Sequence, residues 1–243
     1  MIDLHCHILP ELDDGAHSLQ ESLVMARIAV ESGVTAMAAT PHCKDGEARE
    51  VFDAWKLLRQ ALKENKIPLK LFPGMEVFGT DDTLRLLKEG KLFTINGSRY
   101  PLIEFSFHSD GVEETRILRN LCKIGLHPIV AHPERYSYIQ YDPQILNRWH
   151  HMGCLIQVNR GSLLGRFGPQ VQDIAEELIS RNFAAVVASD AHSPQFRTPW
   201  MRDVEKYLSL TVSTAYARKL LLDNPRKILK DSPIAPEKPE WFE

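Results

Sequence analysis

Two histidines near the start of the chain have the type and spacing of metal ligands. His5 and His7 stand in a short segment where apolar and polar residues alternate, which predicts a β-strand with both imidazoles on one face. Three carboxylates follow in the next loop, namely Glu11, Asp13 and Asp14. Two imidazoles with nearby carboxylates can bind a divalent ion such as zinc, manganese or iron. A lone histidine pair is more often packed or solvated at a strand end, so further candidate ligands elsewhere in the chain are needed to indicate a metal site.

The same arrangement recurs along the chain, because several predicted apolar strands end in a residue that can bind a metal. Together with His5, His7 and Asp14, these residues are His42, Glu76, Glu104, His132, Asp190 and His192. The carboxyl ends of the strands of a parallel α/β barrel meet on one face, so we expect the nine side chains to converge. Nine nitrogen and oxygen ligands exceed the needs of one ion and predict a cluster of two or three. The absence of cysteine from these positions disfavours a closed structural zinc site.

Helix signals separate these strands and predict the elements that position the ligands. Ser18-Leu-Gln-Glu21 is a capping box that opens a helix, and Gly33 is suited to end it. Further helices are predicted over residues 51–62, 112–122, 145–152, 171–179, 201–208 and 212–222, and further strands over residues 35–40, 69–72, 101–105, 128–132, 154–158 and 183–192. Alternating strands and helices indicate an α/β fold with a parallel sheet covered by helices.

The number of units favours a closed architecture. About seven strand–helix units in 243 residues suit a distorted (β/α)7, TIM-like barrel better than an open sheet. The sequence shows neither an internal repeat nor a linker before its end, so residues 1–231 are predicted to form one domain. Residues 232–243 contain three prolines and are predicted to form an extended or mobile tail.

Composition excludes several classes of partner. A net charge of −3 and a pI of about 6.4 give no electrostatic basis for binding nucleic acid or an anionic membrane surface. The four cysteines form no C-x-x-C pair, and the sequence shows neither a signal peptide nor an apolar run long enough to span a bilayer. We therefore expect a cytoplasmic protein with reduced thiols and no stable insertion in a membrane.

Several short motifs, in order, carry a resemblance to a known family. They are Met1-Ile-Asp-Leu-His-Cys-His7, Leu12-Asp-Asp-Gly15, Ala39-Thr-Pro-His42, Gly74-Met-Glu76, Ile103-Glu104, Ala131-His-Pro-Glu-Arg135, Asn159-Arg-Gly-Ser162, Gly165-Arg-Phe-Gly168 and Ala188-Ser-Asp-Ala-His192. Each is weak alone, but together they run from residue 1 to about residue 230. The chain resembles the PHP (polymerase and histidinol phosphatase) superfamily, and within it the protein-tyrosine phosphatases encoded with capsular and exopolysaccharide genes.

This resemblance implies a PHP-type distorted barrel that holds three divalent metal ions. Manganese is the expected ion, with iron, zinc or magnesium as alternatives. Carried onto this sequence, the first ion takes His5, His7, Glu76 and Asp190, the second takes Glu76, Glu104 and His132, and the third takes Asp14, His42 and His192. Glu104 stands where some other PHP phosphatases have histidine, which favours the tyrosine-phosphatase branch. Glu11 and Asp13 are weaker candidates than Asp14.

The implied chemistry is the hydrolysis of a phosphate monoester. Metal ions neutralise the phosphoryl oxygens and lower the pKa of water, so that hydroxide can attack in line. Arg135 and Arg197 follow strand-end histidines and would reach the same face, where each offers a bidentate fork to the phosphoryl group, although either could form a surface ion pair instead. A tyrosine phenolate, with a pKa of about 10, leaves more easily than an alkoxide, so a strong general acid is less necessary, and the sequence does not identify one.

A second phosphatase motif occurs within the same chain. His42-Cys-Lys-Asp-Gly-Glu-Ala-Arg49 fits H-C-x-x-G-x-x-R, the loop in which a thiolate attacks and an arginine binds phosphate. Cys43 and Arg49 would then be the catalytic residues. Two carboxylates within the loop oppose a dianion, and the motif leaves the strand-end ligands without a role, so we interpret the match as a coincidence.

The sequence therefore predicts a metal-dependent protein-tyrosine phosphatase. By resemblance, its partner is a phosphotyrosine protein, namely a membrane-associated tyrosine autokinase of capsular or exopolysaccharide synthesis. The alternatives are a PHP phosphoesterase for a small phosphomonoester such as histidinol phosphate, a cysteine-dependent phosphatase using Cys43, and a metal-binding regulatory module without turnover.

Overall fold

A computed structural model describes residues 1–234 and 238–243. The strands within them are β1 (Ile2–Asp3), β2 (Ala36–Ala39), β3 (His42–Cys43), β4 (Lys70–Pro73), β5 (Glu76–Phe78), β6 (Leu102–Glu104), β7 (Ile129–Ala131), β8 (Leu155–Asn159) and β9 (Ala184–Ala188). The α-helices are α1 (Leu19–Glu31), α2 (Ala48–Glu64), α3 (Thr83–Lys88), α4 (Val112–Lys123), α5 (Ser137–Tyr141), α6 (Ile145–His151), α7 (Arg160–Leu163), α8 (Pro169–Ser180), α9 (Arg202–Thr211), α10 (Thr214–Arg218) and α11 (Asn224–Leu229). Short 3-10 turns and one π-helical turn are Ile95–Gly97, Pro133–Arg135 and Lys219–Asp223.

The strands form two parallel sheets, which confirms the predicted α/β class. One sheet has the order β1-β2-β4, and the other has the order β3-β5-β6-β7-β8-β9. All strand pairs are parallel, so every ladder presents its carboxyl ends on the same side. Only short connections separate β2 from β3 and β4 from β5, so the first sheet leads directly into the second.

The segment after β1 runs between the two sheets. Cys6 forms an isolated parallel bridge with Ala191, and the backbone N–H of His7 donates to the Ala191 carbonyl at 2.8 Å. On its other side, the N–H of Thr40 donates to the Cys6 carbonyl at 2.9 Å. These hydrogen bonds bring the first histidine pair beside the end of β9.

Two apolar clusters position the elements on either side of the strands. The larger is formed by the inward faces of α1, α2, α4, α6, α8 and α9, with Trp149 fully buried and its indole N–H donating to Thr115 Oγ1 at 2.8 Å. The smaller lies among the strand interiors and includes Leu4, Tyr100 and Val186. Burial of this extent holds the strand ends rigidly.

The start of α1 follows the predicted capping chemistry. The hydroxyl of Ser18 accepts a hydrogen bond from the Glu21 N–H at 3.2 Å, and Glu21 Oε2 accepts one from His17 N–H rather than from Ser18. Gly33 follows the helix with φ of +97°, a value that favours glycine. The short helices α3, α5, α7 and α11 have no clear periodic signal in the sequence, which therefore does not predict them.

The described end of the predicted tail lies against the domain. Phe242 is buried and packs on Phe183, with 4.9 Å between ring centres, and Asn147 Nδ2 donates to the Phe242 carbonyl at 2.9 Å. Trp241 stacks on His151 with ring centres 4.3 Å apart. Residues 235–237 of that tail lie outside the described residues. No helix of the described ranges is long and apolar enough to cross a bilayer.

Candidate metal centre

The nine predicted ligands meet at the carboxyl ends of the strands. Overlapping groups of three or four residues have their ligand atoms within 4.8 Å of one another. These groups are His7, Asp14, His42 and His192; His5, His7 and Asp190; His5, Glu76 and His132; and His42, Glu76 and Glu104. The convergence arises because the parallel pairing fixes the strand directions: His42 and Glu76 begin β3 and β5 directly after β2 and β4, Glu104 ends β6, and the other ligands follow β1, β7 or β9.

Glu76 lies at the middle of this arrangement. It begins β5, is fully buried, and is paired in register with His42 of β3. Its Oε2 lies 3.0 Å from His42 Nδ1, 3.1 Å from His5 Nε2 and 3.3 Å from His7 Nε2. Its Oε1 lies 3.0 Å from His132 Nε2. One carboxylate is therefore placed between four imidazoles.

Asp190 is the second buried carboxylate of the cluster. Its Oδ1 lies 3.5 Å from the Nε2 atoms of both His5 and His7. Its Oδ2 accepts hydrogen bonds from Arg135 Nη1 at 3.2 Å and from Arg197 Nη2. The two predicted phosphate-binding arginines thus lie immediately beside the predicted metal ligands.

Two of these residues have unusual backbone conformations. His132 has a φ of +35° and Asp190 a φ of +50°, in the left-handed region that residues other than glycine seldom adopt. Both positions directly follow or lie close after a strand, β7 and β9. Such conformations are costly and occur preferentially at functional sites, where they orient a side chain.

The third predicted group is the most accessible. His42 Nε2 lies 3.6 Å and His192 Nε2 lies 3.4 Å from Asp14 Oδ1. Asp14 and His42 have side chains that are 66% and 39% exposed, whereas His5, His7 and Glu76 are buried. This side of the cluster is the one that a substrate in solution can reach.

Several ligand atoms are buried without a hydrogen bond, which supports a fit to metal ions. His192 Nε2 has no hydrogen-bond partner among residues 1–234 and 238–243, and Glu76 Oε2 lies within 3.3 Å of three imidazole nitrogens without a regular hydrogen bond to any of them. Leaving such atoms unpaired costs free energy, and a cation at the centre of the cluster would satisfy them. The oxygen and imidazole donor set is also the one that manganese, iron or zinc accepts.

The pKa shifts in the cluster show where positive charge is favoured. Burial opposes the charged form of Glu76, but the charge of His5, the hydrogen bond with His132 and the nearby His42 imidazole outweigh it, so the pKa of Glu76 lies well below its ordinary value. Burial likewise opposes protonation of His7, yet hydrogen bonds to Asp13, Asp190 and Glu76 raise its pKa. The carboxylates thus create a field that favours a cation at this position.

Other members of the cluster stay neutral at pH 7 or titrate near it. Burial lowers the pKa of His132 to about 4, and burial with the neighbouring His7 lowers that of His192 to about 3. Neutral imidazole is the form that binds a metal. Burial and the charge of Glu76 raise the pKa of Glu104 to about 7. A carboxyl beside another carboxylate would ionise more readily once a cation lay between them.

Two amide side chains that orient the ligands are not predicted from the sequence. Gln157 Oε1 lies 2.8 Å from His5 Nδ1, which turns the other nitrogen of His5 toward Glu76. Gln157 Nε2 donates to Asn159 Oδ1 at 2.6 Å, and Asn159 Nδ2 donates to Asp190 Oδ2 at 2.5 Å. The available signal was the alternation of these amides within the otherwise apolar strand β8.

The residues of the second phosphatase motif do not form a phosphate site. The thiol of Cys43 is buried, and its pKa is raised by that burial and by the nearby Glu47. The side chain of Arg49 is 92% exposed, and its Nε lies 4.0 Å from Oδ2 of Asp53, one turn further along α2. Backbone N–H groups of the loop donate to the carboxylate of Glu47, at 2.9 Å from Gly46, so an acidic side chain occupies the place of an anion.

Comparisons with known proteins match the chain over almost its whole length. The family described as "Capsular polysaccharide synthesis, CpsB/CapC" matches residues 1–230. The tyrosine-protein phosphatase YwqE of Bacillus subtilis is 37% identical over 201 residues, which are 81% of this chain and 79% of YwqE. The tyrosine-protein phosphatase CpsB of Streptococcus pneumoniae is 30% identical over 243 residues, which are 96% of this chain and 100% of CpsB.

Solved structures with a fold similar to this chain include one of the same kind of protein. One from a study of YwqE of Bacillus subtilis and CpsB of Streptococcus pneumoniae, called unique metal-dependent tyrosine phosphatases, has a TM-score of 0.94 and 32% identity, and covers 100% of both chains. A structure from a study that engineered organophosphate hydrolysis activity from a weak promiscuous lactonase has a TM-score of 0.61 at 12% identity and covers 94% of both chains. This likeness concerns the fold alone.

Proposed function

The chain belongs to the CpsB/CapC family of capsular polysaccharide synthesis, and we propose that it is a metal-dependent protein-tyrosine phosphatase. One observation carries the proposal for this chain's own residues. Five imidazoles and four carboxylates converge at the strand ends. Arg135 and Arg197 both form ion pairs with the Asp190 carboxylate of that cluster. A cation site beside two guanidinium groups suits a dianionic phosphate monoester.

We assign the nine clustered residues to three divalent metal ions, with manganese as the expected ion. His5, His7, Glu76 and Asp190 would hold the first, Glu76, Glu104 and His132 the second, and Asp14, His42 and His192 the third. The groups of neighbouring ligand atoms in the structure share more residues than this assignment to three ions does. His7, for example, also lies in the group that contains Asp14 and His42. When bound, such ions would supply positive charge at the phosphoryl oxygens and would lower the pKa of a water molecule.

The chain's own residues would bind and orient the substrate. The guanidinium groups of Arg135 and Arg197 offer hydrogen bonds to phosphoryl oxygens while Asp190 holds both arginines in place. The half-exposed side of the cluster, at Asp14 and His42, admits the phosphorylated side chain. Because a phenolate with a pKa of about 10 departs more easily than an alkoxide, phosphotyrosine is the monoester for which a strong general acid is least necessary.

The fold supports a barrel as the frame of this site. We propose that the two sheets form one distorted, seven-stranded barrel of the PHP type, in which β2 with β3 and β4 with β5 each count as one strand. The hydrogen bonds of the segment 5–7 to Thr40 on one side and to residues 190–191 on the other support this closure. A closed frame explains why residues from both ends of the chain share one cluster.

The proposed partner follows from the family. The phosphotyrosine protein would be a tyrosine autokinase of capsular or exopolysaccharide synthesis associated with the membrane, and the phosphatase would act on it from the cytoplasm. The four cysteines form no C-x-x-C pair, which agrees with a reducing compartment. The net charge of −3 gives no support to a nucleic-acid partner.

The first test measures hydrolysis of a phosphotyrosine peptide by metal-stripped protein, before and after manganese is added. We expect activity to be lost on stripping and restored by manganese, and to be abolished in Glu76→Gln. Hydrolysis that survives stripping would contradict the metal mechanism. Histidinol phosphate is assayed in parallel, and a higher kcat/KM on it than on the peptide would favour a small-molecule phosphatase. Metal binding that stabilises the fold without turnover of either substrate would indicate a regulatory module.

A further inference from the structure

An aromatic side chain lies beside both arginines of the site and has no part in the chemistry above. Phe167 follows the α7 turn and precedes α8, within Gly165-Arg-Phe-Gly168. The Arg135 Cζ atom lies 4.6 Å from the centre of its ring, and the Arg197 Cζ atom lies 6.0 Å from the same centre. A single ring therefore faces both guanidinium groups within the range of a cation–π contact.

The other neighbours of Arg135 restrict the guanidinium further. Its Cζ lies 4.6 Å from the ring of Phe107, and its Nη1 donates to Asp190 Oδ2 at 3.2 Å. Phe107 is held in turn by Tyr136, with ring centres 5.7 Å apart. Two aromatic rings and one carboxylate oxygen thus define the orientation of this guanidinium. A long side chain ordered before binding loses less rotamer freedom when the ligand arrives.

Arg197 retains a donor for a ligand. Its Nη2 donates to Asp190 Oδ2, whereas its Nε is buried and has no hydrogen-bond partner within the two described ranges. A buried, unpaired N–H of a charged group carries a desolvation cost that an incoming acceptor removes. A phosphoryl oxygen is an acceptor of this kind, so the observation points to a ligand at the arginine pair.

The local sequence is adapted to the position of Phe167. A Cβ atom added at Gly161 would lie 2.8 Å from Phe167 Cε2, closer than real contacts allow, so glycine at this position makes room for the ring. Gly165 and Gly168 flank the phenylalanine with φ of +73° and +94°, values that form the turn and that other residues seldom adopt. The two glycine-containing motifs of this region therefore place one ring beside the arginines.

We propose that Phe167 is a positioning residue that holds Arg135 and Arg197 in the orientation in which they bind the phosphoryl group of the substrate. This inference rests on the proposed function, because it takes the phosphoryl group as the ligand of the two arginines. Phe167 acts through the guanidinium groups and performs no step of the reaction itself.

The test compares Phe167→Leu with Phe167→Tyr on manganese-loaded protein and a phosphotyrosine peptide. Leucine removes the aromatic face, so we expect KM to rise about tenfold with kcat changed less, while tyrosine keeps the face and stays within about twofold of the original. Phe52→Leu is the matched control, since Phe52 lies on α2 with the Lys56 ammonium 4.5 Å from its ring, outside the cluster. Equal KM values for the leucine and original proteins would overturn the inference.

Dependence on the arginines is tested by a double-mutant cycle. In an Arg135→Ala, Arg197→Ala background, Phe167→Leu should cause no further loss of kcat/KM, since the groups it positions are gone. A full additional tenfold loss would show that Phe167 acts otherwise and would overturn the inference. Gly161→Ala should displace the Phe167 ring while residue 167 itself stays phenylalanine, and it should raise KM as Phe167→Leu does. Thermal unfolding confirms that each variant is folded.

A measurement without turnover separates this inference from the proposed function. Calorimetric titration of orthophosphate into manganese-loaded protein should show weaker binding for Phe167→Leu by about tenfold, with Phe167→Tyr unchanged. An original protein that fails to hydrolyse the peptide would contradict the proposed function alone, while the titration still decides the role of Phe167. Identical phosphate affinity in all three proteins would overturn that role.

Discussion

The carboxylate of Asp13 is hydrogen-bonded to the imidazole of His7, with 2.7 Å between Oδ2 and Nδ1. The same carboxylate accepts hydrogen bonds from the backbone N–H of His42 at 2.8 Å and of Gly15 at 2.9 Å. Burial opposes ionisation of Asp13, but the hydrogen bond with His7 outweighs it and lowers its pKa to about 2. The charged carboxylate fixes the ring so that His7 Nε2 points toward Glu76 and the metal centre.

We expect Asp13→Asn to weaken metal binding without removing a ligand. A carboxylate that orients a metal-binding histidine typically contributes 10- to 100-fold to metal affinity, so the apparent manganese affinity should fall by about that factor. The measurement is peptide hydrolysis against free manganese concentration. Glu11→Gln, which removes a carboxylate from the exposed part of the same loop, should leave the curve unchanged. An unchanged curve for Asp13→Asn would contradict the orienting role.

Asp13 also shows which parts of the site can be predicted from the sequence and which cannot. The strand-end positions predicted eight of the nine clustered residues, because parallel strands oblige their carboxyl ends to meet, and Asp14 was predicted from the loop after the first strand. The same reasoning ranked Asp13 below Asp14 as a ligand but could not see its bond to His7, since a loop's path is not set by periodicity. Gln157 escaped for a related reason: its partner, His5, lies 152 positions away and is brought near only by the completed fold. The roles of the nine as metal ligands remain a prediction.

The arginine pair should contribute mainly to substrate binding. Arg135→Ala removes one of the two guanidinium groups beside Asp190, and we expect kcat/KM to fall by about 100-fold, as charge-assisted hydrogen bonds of 1.5–3 kcal/mol imply. Arg135→Lys should restore only part of the loss, because an ammonium lacks the planar fork. Arg59→Ala on α2 is the control, since Arg59 packs on Trp55 away from the cluster. Steady-state kinetics on the peptide decide, and activity equal to that of the control would contradict the assignment.

The second phosphatase motif should be dispensable. Cys43→Ala and Arg49→Ala are each expected to keep kcat within about twofold, because the thiol is buried with a raised pKa and the arginine lies on the surface of α2. Both variants are measured beside Glu76→Gln, which should be inactive. Loss of activity in Cys43→Ala with normal thermal unfolding would revive the thiolate mechanism.

Gly15 should be required for the metal centre for steric reasons. A Cβ atom there would lie 2.2 Å from the His7 carbonyl oxygen and 2.6 Å from His7 Cβ, so Gly15→Ala must displace a ligand-bearing segment. We expect weaker manganese binding together with lower thermal stability. Gly125→Ala is the matched control: Gly125 has φ of +85° but open space around it, so alanine should cost about 1–2 kcal/mol of stability without changing metal affinity. Equal manganese affinity in both variants would contradict the steric argument.

The docked end of the chain should stabilise the fold without affecting catalysis. Phe242 is 6% exposed, packs on Phe183 just before β9, and is hydrogen-bonded through its backbone to Asn147 of α6. These contacts lie at the start of β9, whereas Asp190 follows its other end. Phe242→Ala should therefore lower the free energy of unfolding by about 2–4 kcal/mol and the melting temperature by roughly 5–15 °C, with KM unchanged. Glu243→Ala, at the exposed last residue, is the control for a change at the terminus itself. A melting temperature equal to that of the control would show that these residues are not held against the domain in solution. An extended or mobile tail of this kind is what the proline-containing sequence alone predicts.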